Sequence, residues 1–293
     1  MIPKKIVLIL LLIFVVGCDI GSHNGITFYD PYHGSEGLVI SWLENMPPEE
    51  IYEEKPFMVG VRVENMGATN IKNGVLILTH TKTDMSVENV KRTISLEGKS
   101  TTRQFGDRDA IFWDATTALI GGKKYSTDIG VEACYNYETN MVEDVCIDPD
   151  KHSQKVEEKT CTTPDEISLK NQGAPIAVTS IKPVIIPNDA ESGEVWFILT
   201  IENVGGGYFS DSTPENLCGS EAEGLNFIRV EAWLSNKPAS CESKRAMMEE
   251  NIATVKCEIP YNANSEYMTP LHVKLSYVYK SLLPPVSVPI KES

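Results

Sequence analysis

The chain has 293 residues, 42% of them hydrophobic, and a formal net charge of −15. That length can bury two ordinary hydrophobic cores, which makes two domains the starting expectation. A surface this acidic repels phosphate backbones and anionic lipid headgroups, arguing against nucleic acid as a partner and against electrostatic docking to a membrane. In chain order, Lys4 and Lys5 precede an uncharged apolar run from Ile6 to Val16. The run is too short to cross roughly 30 Å of hydrocarbon as a helix, and its length suits the apolar region of a signal peptide covering residues 1–17. The rest of the chain is then expected outside the cytoplasm.

Val15-Val16-Gly17-Cys18 ends that run. It resembles the lipobox of prokaryotic lipoproteins, in which an apolar and a small residue precede a cysteine that is lipidated after cleavage. Val15 departs from the family, which more often has leucine there. The resemblance implies a lipid on Cys18 and a membrane anchor, with residues 18–36 as a tether; an ordinary signal peptide or an uncleaved anchor, with Cys18 incidental, is the other reading.

Beyond the tether the pattern is that of strands. Phe57, Val59, Val61 and Val63 alternate with Met58, Gly60, Arg62 and Glu64, the period-two signature of a strand with one buried face. The phase returns at Val195, Phe197, Leu199 and Ile201, and Glu64-Asn65-Met66-Gly67 returns as Glu202-Asn203-Val204-Gly205. Asn and Gly tolerate positive φ, so both strands are expected to end in the same tight turn. A second match pairs Tyr135 and Tyr137 with Tyr277 and Tyr279, inside two segments that read as hairpins: Cys134 to Ile147 and Ser276 to Val288.

The alternation predicts strands near 38–43, 56–64, 74–79, 91–96, 127–137 and 141–147, and again near 176–185, 194–202, 227–234, 252–259, 271–279 and 285–290. Between the sets, residues 151–174 are polar and contain Pro and Gly, forming the junction between a first unit at 37–150 and a second at 175–293. Helix signals are thin; residues 243–250 could supply a turn or two. The expected fold is all-β, two tandem immunoglobulin-like β-sandwiches after the N-terminal signal segment.

Six cysteines follow Cys18: Cys134, Cys146, Cys161, Cys218, Cys241 and Cys257. An even number outside the cytoplasm reads as disulfides, and the absence of any Cys-x-x-Cys weighs against metal-bound thiols. Cys134 and Cys146 both become serine in the second copy, Ser276 and Ser287, which suggests a Cys134–Cys146 bridge across the first hairpin. Cys161–Cys218 and Cys241–Cys257 would complete the set, among the fifteen connectivities that six cysteines allow.

The strand followed by Val-Glu-Asn-Met-Gly, or by Ile-Glu-Asn-Val-Gly, resembles the CARDB-type immunoglobulin-like modules of bacterial and archaeal surface proteins. The resemblance spans most of the chain after Gly37 in two copies and implies adhesion, spacer or binding roles. It carries no shared catalytic residues.

Motifs for chemistry do not assemble. Leu96-Glu97-Gly98-Lys99-Ser100 has Thr93 where a phosphate-cradling loop needs glycine, and Gly205–Gly207 opens no predicted helix. The five histidines are scattered, and the Asp107/Asp109 and Asp148/Asp150 pairs lack the ligand periodicity of a calcium loop. No catalytic residue, metal or cofactor is expected. Residues 104–122 break the strand rhythm and carry Phe105, Phe112 and Trp113. An aromatic loop could grip a protein or glycan partner at Phe112 and Trp113, but the preferred reading is that the two plug the core, as a sandwich of this size usually needs. The sequence reading is a non-enzymatic, membrane-tethered, extracytoplasmic binding protein, with a structural subunit of a cell-envelope or appendage assembly as the alternative.

Overall fold

The computed structural model describes residues 29–121, 125–151, 159–189, 191–219 and 226–292. The expected signal peptide, Cys18 and most of the tether lie outside the described residues. What is described is almost entirely antiparallel β-structure. The first part holds β1 (Leu38–Trp42), β2 (Ile51–Tyr52), β3 (Pro56–Asn65), β4 (Ile71–His80), β5 (Met85–Val87), β6 (Lys91–Leu96), β7 (Arg108–Thr117) and β8 (Tyr125–Ile147). The second holds β9 (Ile167–Ser168), β10 (Ile176–Pro187), β11 (Ser192–Asn203), β12 (Tyr208–Ser210), one helical turn α1 (Pro214–Leu217), β13 (Phe227–Leu234), β14 (Lys237–Pro238), β15 (Ser240–Cys241), β16 (Arg245–Met247), β17 (Ile252–Asn262) and β18 (Tyr267–Lys291). Residues 243–250 are extended at β16, not helical, and α1 lies instead at Pro214–Leu217, between β12 and β13.

β8 and β18 organise the molecule. Each is one continuous strand, of 23 and 25 residues, and they pair antiparallel from Tyr267↔Ile147 to Ile290↔Tyr125. The two expected hairpins are therefore corrected to through-running strands. Nothing at Glu138-Thr139-Asn140 forces a turn, since neither Gly nor Pro is present. Pro284 and Pro285 fall at a register break between Leu283 and Val286, where a residue without a backbone donor is tolerated.

Around this pair a central sheet runs β14-β13-β18-β8-β4-β6, with β12, β16 and β2 pairing onto its members. A four-stranded sheet, β1-β3-β7-β5, and a five-stranded sheet, β15-β17-β11-β10-β9, complete the molecule. The odd-numbered side chains of β8 are buried from Thr127 to Met141, and most of its even-numbered ones face outward, so both smaller sheets lie against one face of the central sheet. The alternating residues read from sequence form this core: Val59, Val61 and Val63 of β3, and Val195, Phe197, Leu199 and Ile201 of β11, are fully buried.

The two halves do not part cleanly at 151–174. Beyond the tyrosine pair, β8 runs on into the second half, where the Thr139 hydroxyl donates to the Ile176 carbonyl. β18 runs on into the first half, where the Ser281 hydroxyl donates to the Leu38 carbonyl and Ile290 pairs in parallel with Ile51. Each half lends the end of its last strand to the other.

Candidate functional site

At the crossing of β8 and β18 the register sets Tyr137 opposite Tyr277 and Tyr135 opposite Tyr279. The four rings form one cluster with centroids 5.6 to 6.3 Å apart. Their hydroxyls pin both copies of the Asn-Gly turn in the same way. The Tyr137 hydroxyl accepts the Thr69 N–H and lies 3.4 Å from Asn65 Oδ1, while the Tyr279 hydroxyl accepts the Gly207 N–H and donates to Asn203 Oδ1 at 2.9 Å. Asn65 and Asn203 each donate their amide to the carbonyl four residues on, Thr69 and Gly207. The other two tyrosines are matched as well: Tyr135 meets Ser281 and the Leu38 N–H, and Tyr277 meets Thr139 and the Ile176 N–H. Burial raises all four hydroxyls above the ordinary tyrosine range, Tyr279 to about 12.

Clefts open where this seam reaches the surface. One, of about 240 Å³, lies between β1 and Gly205–Gly207, beside Tyr279, Ser281 and Glu36. Its wall carries Gly206 and Gly207 where the first turn has Ala68 and Thr69, and a Cβ on Gly206 would meet nothing within 4 Å. A larger one, of about 530 Å³, runs along Asn140 to Glu143 of β8 and faces Ser168 to Gln172, with Asp30 and Tyr32 at its rim.

The aromatic pair expected on a binding loop is divided. Residues 108–117 are β7, not a loop. Trp113 is fully buried, donates its indole N–H to the Val90 carbonyl at 3.0 Å and carries the Arg92 guanidinium over its ring. Of the two readings of Trp113, the core plug holds and the partner-binding role is corrected, because its ring is wholly buried. Phe112 points the other way and is 42% exposed, resting where Gly60 has no side chain; a Cβ there would meet Met46, Leu43 and Phe112. The alternation Ile111, Trp113, Ala115, Thr117 was the signal that could have identified this strand.

All six cysteines are bonded, as Cys134–Cys218, Cys146–Cys161 and Cys241–Cys257. The expected Cys134–Cys146 and Cys161–Cys218 bridges are corrected. Twelve residues of straight strand separate Cys134 from Cys146, on the order of 40 Å. Cys218 instead brings α1 onto the outer face of the central sheet, where Leu217 packs with Val75, Cys134 and Val278. Cys146–Cys161 ties the junction to the end of β8.

The paired aspartates serve the structure. Asp148 Oδ2 and the Asp150 carbonyl both accept from Lys159 Nζ at 2.7 Å, an arrangement that raises the lysine above its usual range. Asp107 binds the Glu97 N–H and Arg103, and Asp109 the Ala110 N–H. Among the described residues no group of three or more His, Cys, Asp or Glu side chains stands ready to hold a metal ion, and no helix is long and apolar enough to cross a membrane.

No family model matches the chain, and no curated protein matches it. Solved structures that resemble it do so faintly. A DUF4466 family protein from Parabacteroides merdae aligns over 85% of this chain and all of its own, at 9% identity and a TM-score of 0.18. The secreted serine protease VesC from Vibrio cholerae aligns over 86% of this chain and 50% of its own, at 8% identity and a TM-score of 0.19.

Proposed function

We propose that the chain is a non-enzymatic, membrane-tethered extracytoplasmic binding protein that presents two fused immunoglobulin-like modules of CARDB type. The observation that carries this reading is a set of three disulfides bracing an all-β body, in a chain that begins with a short apolar run ending at Gly17-Cys18. Disulfides persist in oxidising compartments outside the cytoplasm. The lipid on Cys18 holds the body at the membrane, and a second acyl chain or other contacts firm the anchor, because one chain gives only marginal affinity. Partner contact is assigned to protein or glycan.

The test is the intact mass of the protein extracted from membranes of its own host, before and after reduction and alkylation. A chain starting at Cys18 with lipid mass and six oxidised cysteines supports the reading. An uncleaved N-terminus with free thiols overturns it.

A further inference from the structure

The second half of β8 is a sheet edge with no strand beside it among the described residues. On one side β18 covers its whole length, while on the other β4 reaches only from Ile129 to Cys134. Two hydrogen bonds show which backbone groups face the uncovered side. The Glu138 carbonyl accepts from the Thr69 hydroxyl at 2.6 Å and the Cys146 carbonyl from the Thr163 hydroxyl at 2.9 Å. Across the sheet, the Pro270 carbonyl opposite Asp144 accepts from the Ser235 N–H on the far side of β18. Even-numbered residues of β8 thus aim their N–H and C=O groups away from β18. Between the two threonine hydroxyls, Asn140, Val142 and Asp144 present a ladder of donors and acceptors, and the cavity of about 530 Å³ lies along it.

We propose that this edge binds an extended peptide segment of a partner chain by strand addition, with apolar residues directed inward and basic residues flanking them. Main-chain pairing supplies the affinity in such recognition, and pockets for alternate side chains supply the selectivity. Inward residues of the incoming strand would meet Met141 and Leu169, and outward ones would lie beside Val142, which is 59% exposed. The cavity is lined by two carboxylates, Asp30 and Glu143, against one ammonium, Lys170, on a chain whose net charge is −15. That balance favours a basic segment and opposes a second acidic copy of this chain.

This inference deepens the binding reading and rests on it. Its test is amide exchange on the full chain in detergent, with two heptapeptides of alternating valine and threonine, one ended by lysines and one by glutamates. Without peptide, the Asn140, Val142 and Asp144 amides exchange fast, and those of Met141 and Glu143, turned toward β18, exchange slowly. The lysine peptide slows the three fast amides at least tenfold, and the glutamate peptide binds several-fold more weakly. Val142→Pro removes the central donor and abolishes the effect; Asp30→Lys, on the rim, narrows the difference between the peptides. Slow exchange at these amides before peptide is added, slowing that grows with protein concentration, or no effect of either peptide would overturn the assignment. None of those results bears on the mass at Cys18, so failure of the edge and failure of the tethered reading are separable.

Discussion

Gly67 shows how tightly single residues hold the seam. A Cβ added there would stand 1.9 Å from the Tyr137 hydroxyl and 2.6 Å from the carbonyls of Glu36 and Gly173. Two of those three are backbone atoms that cannot swing aside, so Gly67→Ala should cost about 1–3 kcal/mol or more in urea unfolding, the usual penalty of overpacking. Asn65 is fully buried and its amide binds the carbonyls of Thr69 and Leu96, whereas Asn203 is only partly buried. Asn65→Ala is therefore expected to destabilise by about 1–3 kcal/mol, and more than Asn203→Ala, by the same measurement. The tyrosine cluster adds a pH dependence. Its folded-state values lie above the ordinary value near 10, so its stabilisation is complete below that pH, where both states keep the phenols neutral. Above pH 10 the unfolded chain ionises first, and stability falls by up to about 1.4 kcal/mol per pH unit for each buried tyrosine. Urea midpoints between pH 8 and 11 should turn downward near 10, and Tyr279→Phe should soften the slope. A flat profile would contradict the cluster's burial.

At the scale of elements, strand periodicity was readable wherever one face is buried. β3 and β11, with their shared Asn-Gly turns, stand where the alternation puts them because both constraints are local. β8 and β18 were broken in two because Asn140 and the Pro284-Pro285 pair carry turn chemistry. What keeps the chain extended there is pairing with a strand about 140 residues away, which no window of sequence contains. The disulfide error follows from that one: two cysteines placed across a hairpin are in fact far apart on one strand. Cys241–Cys257 was expected only as the pair left over, and the structure gives its physical reason: the two cysteines face each other on adjacent antiparallel strands. Loop length ranks the bridges. Replacing Cys134 and Cys218 by serine opens a span of 84 residues and should cost about 4.6 kcal/mol, against about 3 for the 15-residue span of Cys146 and Cys161. Paired denaturation curves check the order. Phe112 was named from the sequence but not separated from Trp113, although the alternation in β7 puts them on opposite faces; the clefts were not legible, since they depend on the sheet order.

For the whole molecule, the exchange of strand ends makes the halves interdependent. A fragment ending at residue 150 lacks the segment that pairs with Ile51 and binds Leu38, and one beginning at 175 lacks the segment that binds Ile176. Each fragment alone should fail to show a cooperative thermal transition, while the two expressed together should recover one; two independent transitions in the full chain would argue for separable domains. The register of β8 on β18 has a further consequence. Tyr135 sits opposite Tyr279, and Tyr137, one repeat-equivalent away, sits opposite Tyr277, so the pairing maps onto itself when the copies are interchanged. That is the rule obeyed by two identical subunits about a twofold axis. Within one chain, each half therefore meets the other through the same pair of tyrosines. Away from that seam the symmetry lapses: one turn has Ala68 and Thr69, and the other has Gly206 and Gly207 along the wall of a cleft.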